Sequence, residues 1–360
     1  MCKYNHTIYF GNSTQMAEIA DNSVHLIVTS PPYPMIEMWD DIFSAQSSEV
    51  NLALQSNDGE CAFEEMHKIL DSVWEECNRV LKPGGFMCIN IGDATRTINK
   101  SFRLYNNHSR IVQKCESLGL VNLPNIIWRK VTNAPNKFMG SGMLPCGAYV
   151  TLEHEYILIF RKGDKRPYRT ANEKKERMNS SFFWEERNVW FSDLWDLKGV
   201  KQIISKAASR ERSASFPLEI PYRLINMYSQ RGDVVLDPFM GLGTTAIAAI
   251  ITERNSIGYE IDALLSEIIV DHISNLNILE VNKSIENRIN NHRAFIESRL
   301  SDGKEVKHFD GNLATRVMTK QESEIILHFL NKAVIKSKNP VCVETEFFDE
   351  SCIQRPLSLF

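Results

Sequence analysis

The chain has 360 residues, 43% hydrophobic and 24% charged, with a formal net charge of −4. That is ordinary globular composition, long enough for one large core plus additions. A negative total gives no global pull toward nucleic acid, so any such contact must come from local charge.

The first strand-like segment is "HTIYF" near the amino end, with no secretory leader before it, and "YFGNS" follows at once. Val24–Thr29 ("VHLIVT") reads as a buried parallel strand and breaks off in Thr29, Ser30, Pro31, Pro32 and Tyr33. The polar stretch from Asp41 to Glu60 reads as a lid or a disordered loop. In "FEEMHKILDSVWEECNRVLKPGG", apolar residues from Phe63 to Leu81 recur at steps of three and four, which predicts a helix stopped by Pro83, Gly84 and Gly85. Phe86–Ile91 reads as the next strand. "NIIWRK" and "HEYILIF" read as two more, around a loop rich in Gly, Pro and Asn at Asn133–Gly147. His154 and Glu155, adjacent on a strand, face opposite ways and read as a polar strand start rather than a metal pair.

From Arg161 to Arg212 the periodicity is lost. Arg161–Arg177 alone holds eight Lys and Arg against three Asp and Glu. Trp190, Phe191, Leu194 and Trp195 read as its anchors. Val234–Leu236 and Ser256–Glu260 are the last strands of the pattern, after which come polar helical segments and a possible strand at "NPVCVETEFF". Strands alternating with helices predict a parallel sheet covered on both faces, with ligands at the carboxyl ends of strands. The eight cysteines show no C-x2-C spacing and read as reduced thiols in a cytoplasm, with no metal site. The longest apolar patch, Ala246–Ile251, is far too short to span a bilayer, so no membrane partner is expected.

"VVLDPFMGLGTTAIAA" follows a strand and opens a helix. Gly241 and Gly243 let backbone approach a ligand, and Thr244 and Thr245 suit a helix start. This is neither G-x-G-x-x-G nor a P-loop. Asp237 at the strand tip opposes phosphate and suits a positively charged ligand. Glu260, at the tip of the next strand, can accept both ribose hydroxyls. A ribose without phosphates beside a positive charge describes S-adenosylmethionine.

Together "TSPPY" and "DPFMGLGTT" resemble the amino-methylating DNA methyltransferases, in the circularly permuted order of the beta group. The resemblance covers roughly residues 6 to 280 and implies a Rossmann-like α/β fold with a mostly parallel sheet. It implies catalytic roles for Ser30, Pro31, Pro32 and Tyr33, the hydroxyl and the Pro31 carbonyl accepting the two N–H bonds of a flipped base and Tyr33 stacking on it. It implies a cofactor site of Asn12, Phe216, Pro217, Asp237, Phe239, Gly241, Gly243, Thr244, Thr245 and Glu260, with Asn12 standing where Asp is common. It implies a domain order of catalytic part (1–160), target-recognition insert (161–212), cofactor part (213–280) and helical appendage (281–360). In the insert, Arg161, Lys165, Arg166, Arg169, Lys174, Lys175, Arg177, Lys198 and Lys201 would meet phosphates of double-stranded DNA. Ser-Pro-Pro variants of the family are mostly cytosine-N4 enzymes, paired with a restriction endonuclease and occurring as monomers or homodimers. The rivals are adenine-N6 methylation and a non-catalytic DNA-binding module on the same fold.

Overall fold

The computed structural model describes residues 1–130, 139–199 and 216–351. Ten strands form one sheet: β1 (Cys2–Phe10), β2 (Val24–Thr29), β3 (Leu81–Ile91), β4 (Leu120–Lys130), β5 (His154–Lys162), β6 (Leu194–Leu197), β7 (Val234–Asp237), β8 (Asn255–Glu260), β9 (His328–Lys338) and β10 (Val341–Ser351). Their spatial order is β6-β4-β5-β3-β2-β7-β8-β1-β10-β9. The centre is parallel: β2 pairs with β3 and β7, β7 with β8, and β8 with β1. β5 runs antiparallel between β3 and β4, and β10 antiparallel between β1 and β9. Hence β1, β2, β3, β4, β6, β7 and β8 all end on one rim, and there the turns after β2, at Ser30, and after β7, at Pro238, lie side by side.

The period-two pattern of β2 divides the core. Leu26 and Val28 face one way, onto Ile220 and Leu224 of the helix at Glu219–Tyr228 and Ala248 and Ala249 of the helix at Thr244–Ile251. Ile27 faces the other way with Met87 and Ile89, onto Met66, Leu70, Val73 and Trp74 of the long helix at Gly59–Val80. Both faces are therefore covered, as parallel strands require. The Asp58 side chain caps the long helix by accepting from the Cys61 amide at 3.0 Å.

Three regions differ from expectation. Residues 40–55 are ordered as helices Asp40–Gln46 and Ser48–Gln55, because Phe43, Val50 and Ala53 are buried against the long helix and Ser47 caps the second one. The insert is partly regular: a helix at Ala171–Asn179 carries a Thr170/Glu173 capping box, a second spans Trp184–Trp190, and β6 joins the sheet beside β4. Trp190 and Trp195 are buried as anchors, whereas Phe191 and Leu194 are exposed. The tail is helical only through Ile278–Ser301; β9 and β10 then extend the sheet past β1, burying Phe329, Leu330, Val341, Val343 and Phe347. Among the described residues no helix is long and apolar enough to cross a membrane.

Candidate active site

The rim carries one open cleft of about 1100 Å³, counting its mouth. Its walls include Ser30 and Pro32 from the β2 tip, Asp237, Phe239, Gly241 and Thr244 from the β7 turn, and Glu260 from β8. Asn12 and Phe216 line it too. The Ser30 turn and the Gly241 turn are thus neighbours, as the register of β2 beside β7 (Leu26 with Val235, Ile27 with Leu236) dictates.

Asp237 is the joint between them. It is buried and accepts from Thr29 Oγ1 at 2.6 Å, Thr245 Oγ1 at 2.7 Å and the Phe239 amide at 3.1 Å. Burial pushes its carboxyl up to about 6 in spite of these three hydrogen bonds, because they compensate only part of the lost hydration. Thr245 is fully committed to this joint and lies behind the cleft rather than in its wall. Gly243 caps the Thr244–Ile251 helix at a φ of 84°, a left-handed value that favours glycine. Pro217 precedes the Glu219–Tyr228 helix beside Phe216 and does not itself line the cleft.

Glu260 accepts from the Gly241 amide at 2.9 Å and the Asp262 amide at 2.8 Å, one bond on each oxygen. These two amides fix the carboxylate at the β8 tip, in the cleft wall, and a carboxylate is the kind of acceptor that vicinal hydroxyls need. Asn12 accepts from the Thr14 amide and donates to Gln46 Oε1 at 3.1 Å, which ties the β1 loop to the Asp40–Gln46 helix. That helix and the long helix supply an apolar wall that the sequence reading missed: Trp39, Ile42, Phe43, Ile69, Leu70 and Val73. The signal was present, since Trp39, Ile42, Phe43 and Gln46 follow helical spacing.

Pro31 and Tyr33 do not line the cleft. The Tyr33 hydroxyl turns inward and donates to Glu155 Oε2 at 2.9 Å. Burial, and then the charge of Glu155, hold this phenol well above its ordinary range, so it stays protonated. Glu155 is therefore more than a polar strand start: it is buried beneath the catalytic turn and paired with Lys130.

The sheet divides the basic insert between its two rims. β5 is antiparallel to β3, so Arg161 lies beside Phe86 and the chain beyond it emerges at the rim opposite Ser30. There Arg166 Nη1 donates to both oxygens of buried Asp233, at 2.7 and 3.0 Å, just before β7 begins. Arg177 packs on the Tyr168 ring, and Lys165, Arg169, Lys174 and Lys175 are exposed on the same side. Lys198 differs: β6 runs parallel to β4 and delivers it, exposed, to the catalytic rim. Lys201 lies outside the described residues.

The N6/N4 DNA methylase family model matches residues 24–271. The chain belongs to this DNA methylase family. Type II methyltransferase M.MthZI of Methanothermobacter thermautotrophicus is 49% identical over 348 residues, 96% of this chain and 95% of its own. M.MjaI of Methanocaldococcus jannaschii is 52% identical over 280 residues, 75% of this chain and 91% of its own. Among solved structures, the DNA modification methylase TTHA0409 of Thermus thermophilus, complexed with S-adenosyl-L-methionine, is 31% identical with a TM-score of 0.55, over 74% of this chain and 94% of that one. The cytosine-N4-specific PvuII DNA methyltransferase superposes with a TM-score of 0.52 at 18% identity, over 74% and 84% of the two chains, a likeness of fold alone. The amino-methyltransferase resemblance and the α/β fold expected from "TSPPY" and "DPFMGLGTT" are thereby borne out.

Proposed function

We propose that this DNA methylase transfers a methyl group from S-adenosylmethionine to the N4 amino nitrogen of cytosine in double-stranded DNA, as the modification partner of a restriction endonuclease. The observation that carries the reading is the single cleft shared by Ser30 and Pro32 on one side and Gly241 and Glu260 on the other. The Type II relatives support the restriction-modification setting.

Bound there, S-adenosylmethionine would supply a methyl group on a sulfonium. Glu260, a carboxylate in the cleft wall, would accept from ribose hydroxyls, and the Trp39–Phe43 wall would supply an apolar surface for a purine. Asp237, the joint of the two turns, would meet positive charge. On the other side, Ser30 would hold the target amine, whose lone pair is delocalised into the ring. An acceptor aimed at an N–H bond favours a more tetrahedral nitrogen, and the rigid prolines hold that acceptor still. The base must leave the duplex to enter. Lys198, exposed on the same rim, would meet a phosphate. No covalent enzyme intermediate is needed.

Incubation of the full chain with plasmid DNA and methyl-labelled S-adenosylmethionine, followed by nucleoside mass analysis, tests this. N4-methylcytosine is expected. N6-methyladenine would shift the reading to the other amino group, and no label in any nucleoside would reduce the protein to a binding module.

A further inference from the structure

A serine hydroxyl is an ambiguous catalyst for this reaction. It can accept from the target amine, or it can turn its own hydrogen toward the amine's lone pair and oppose the attack. A carboxylate in the same place has no hydrogen to misdirect. A fold that uses Ser30 therefore needs a second group to decide where the hydroxyl hydrogen goes.

The cluster beneath the turn contains such a group. Ser30 Oγ lies 3.2 Å from Tyr33 Oη. Tyr33 Oη is 2.9 Å from Glu155 Oε2. Asn90 Nδ2 reaches both Tyr33 Oη and Glu155 Oε2 at 2.7 Å, and Ser30 Oγ at 3.4 Å. Lys130 Nζ pairs with the other Glu155 oxygen and lies 4.7 Å over the Trp128 ring. The hydrogens can be assigned from the partners. The Tyr33 hydroxyl donates to Glu155, the carboxylate paired with Lys130. The Asn90 amide presents its NH2 here, because the reversed amide would set its oxygen against a carboxylate oxygen. It donates to Glu155 and Tyr33. Tyr33 Oη, its own hydrogen spent, can only accept from Ser30. The donation runs Ser30 to Tyr33 to Glu155, and the Ser30 lone pairs are left facing the cleft that Ser30 lines.

The packing is built for this. Glu155 and Asn90 are both buried. A Cβ on Gly92 would stand 3.0 Å from Tyr33 Cε2 and 3.3 Å from Glu155 Cγ, so glycine leaves the space that the ring and the carboxylate occupy. Burying the Glu155 carboxylate in a pair whose Lys130 end stays partly exposed costs hydration that an apolar side chain would not. Setting that pair under one tyrosine hydroxyl is sensible if the hydroxyl's direction matters.

We infer that Tyr33 and Glu155 are positioning residues that point the Ser30 hydroxyl hydrogen away from the cleft, so that Ser30 meets the target amine as an acceptor only. This rests on the proposed role of Ser30 as the amine's acceptor. It gives the tyrosine of "SPPY" a task through its hydroxyl, and gives Glu155 a task through a residue 122 positions away.

The test is a double-mutant cycle on the full chain: Ser30→Ala, Tyr33→Phe, both together, and Glu155→Gln as a second entry into the network. Single-turnover methyl transfer to saturating duplex DNA is measured, with cofactor affinity by calorimetry and thermal unfolding as controls. Tyr33→Phe and Glu155→Gln should each slow transfer about tenfold to a hundredfold, the range that loss of orientation costs. Cofactor affinity should be unchanged. The double variant should be no slower than Ser30→Ala alone, because the network has nothing left to orient. Wild-type rates in both Tyr33→Phe and Glu155→Gln would overturn the inference. So would effects of Tyr33→Phe and Ser30→Ala that multiply, since a merely structural tyrosine behaves that way. If Tyr33→Phe unfolds, the Glu155→Gln rate decides in the same two directions. Ser30→Ala at wild-type rate would strike the underlying reading of Ser30, whereas a slow Ser30→Ala beside a normal Tyr33→Phe strikes this inference alone.

Discussion

The carboxyl of Asp237 receives two threonine hydroxyls and one amide, and burial still lifts it to about 6. A carboxyl raised in the fold favours its protonated form there. Its stabilising contribution is full below its ordinary 3.8, and is lost as pH rises through about 6; over that span it amounts to about 3 kcal/mol. A bound cation reverses the preference, because it favours the ionised form. On the proposed function, affinity for S-adenosylmethionine should therefore rise between pH 5 and 7, with proton release seen by calorimetry in buffers of different ionisation enthalpy. Asp237→Asn should bind more weakly and flatten the profile. A wild-type affinity constant across that range would remove Asp237 from contact with the ligand's charge. Asp237, Glu260 and Ser30 were legible in the sequence, since each sits at the end of an apolar run and strand ends carry ligands in such sheets. Glu155 was not, because its partner Tyr33 is brought to it by β3 lying between β2 and β5, which no local spacing encodes.

Elements were legible where their residues carry one period and illegible where charge hides it. Val24–Thr29 was read to the residue, and the long helix to within a turn, because each buries a complete apolar face. The Asp40–Gln46 helix escaped because it is only seven residues long and opens on two aspartates. In the insert the charges were legible and their rim was not, because composition does not say where an antiparallel β5 will deliver them. This changes what the lysines should do. Changing Lys174, Lys175 and Arg177 together to Ala should leave DNA affinity and its salt dependence close to wild type. Lys198→Ala should weaken binding and reduce the slope of log K against log salt by about one, the loss of one phosphate contact. Titrations of a labelled duplex at several salt concentrations separate the two variants. A slope reduced by about three in the triple variant would return the Ala171–Asn179 helix to the DNA surface.

At the scale of the whole molecule, the question is whether the tail is an appendage or part of the catalytic sheet. Every residue of the cleft wall lies between Gly11 and Leu265, so a chain stopped after Asp302 would keep the entire site. It would lose β9 and β10, and with them the extension of the sheet past β1 and its share of the core. Phe329, Leu330, Val341, Val343 and Phe347 pack there against Tyr4 and Ile8 of β1 and Ile285 and Ile289 of the Ile278–Ser301 helix. At about 1.5–3 kcal/mol for each large side chain, that loss rivals the 5–15 kcal/mol by which a domain is normally stable. Polar ties go as well. His6 bridges Ser256 Oγ at 2.9 Å and Thr345 Oγ1 at 3.0 Å, and burial pushes it down to about 3, so it bridges as a neutral ring. Glu253 would lose His328 at 2.9 Å while remaining buried with Arg231. β1 would become an edge strand with unpaired backbone, a template for aggregation, where the intact protein presents the lysine-studded β9 instead. The alternation in "HFLNKAVIKSK" is the signature of such an edge, and its lysines are what made the segment read as polar tail. The chain ending at Asp302 should accordingly be insoluble, or unfold well below the full chain in a thermal melt. A soluble truncated protein with an unchanged melting temperature and unchanged cofactor affinity would instead mean that β9 and β10 dock on a sheet already complete without them.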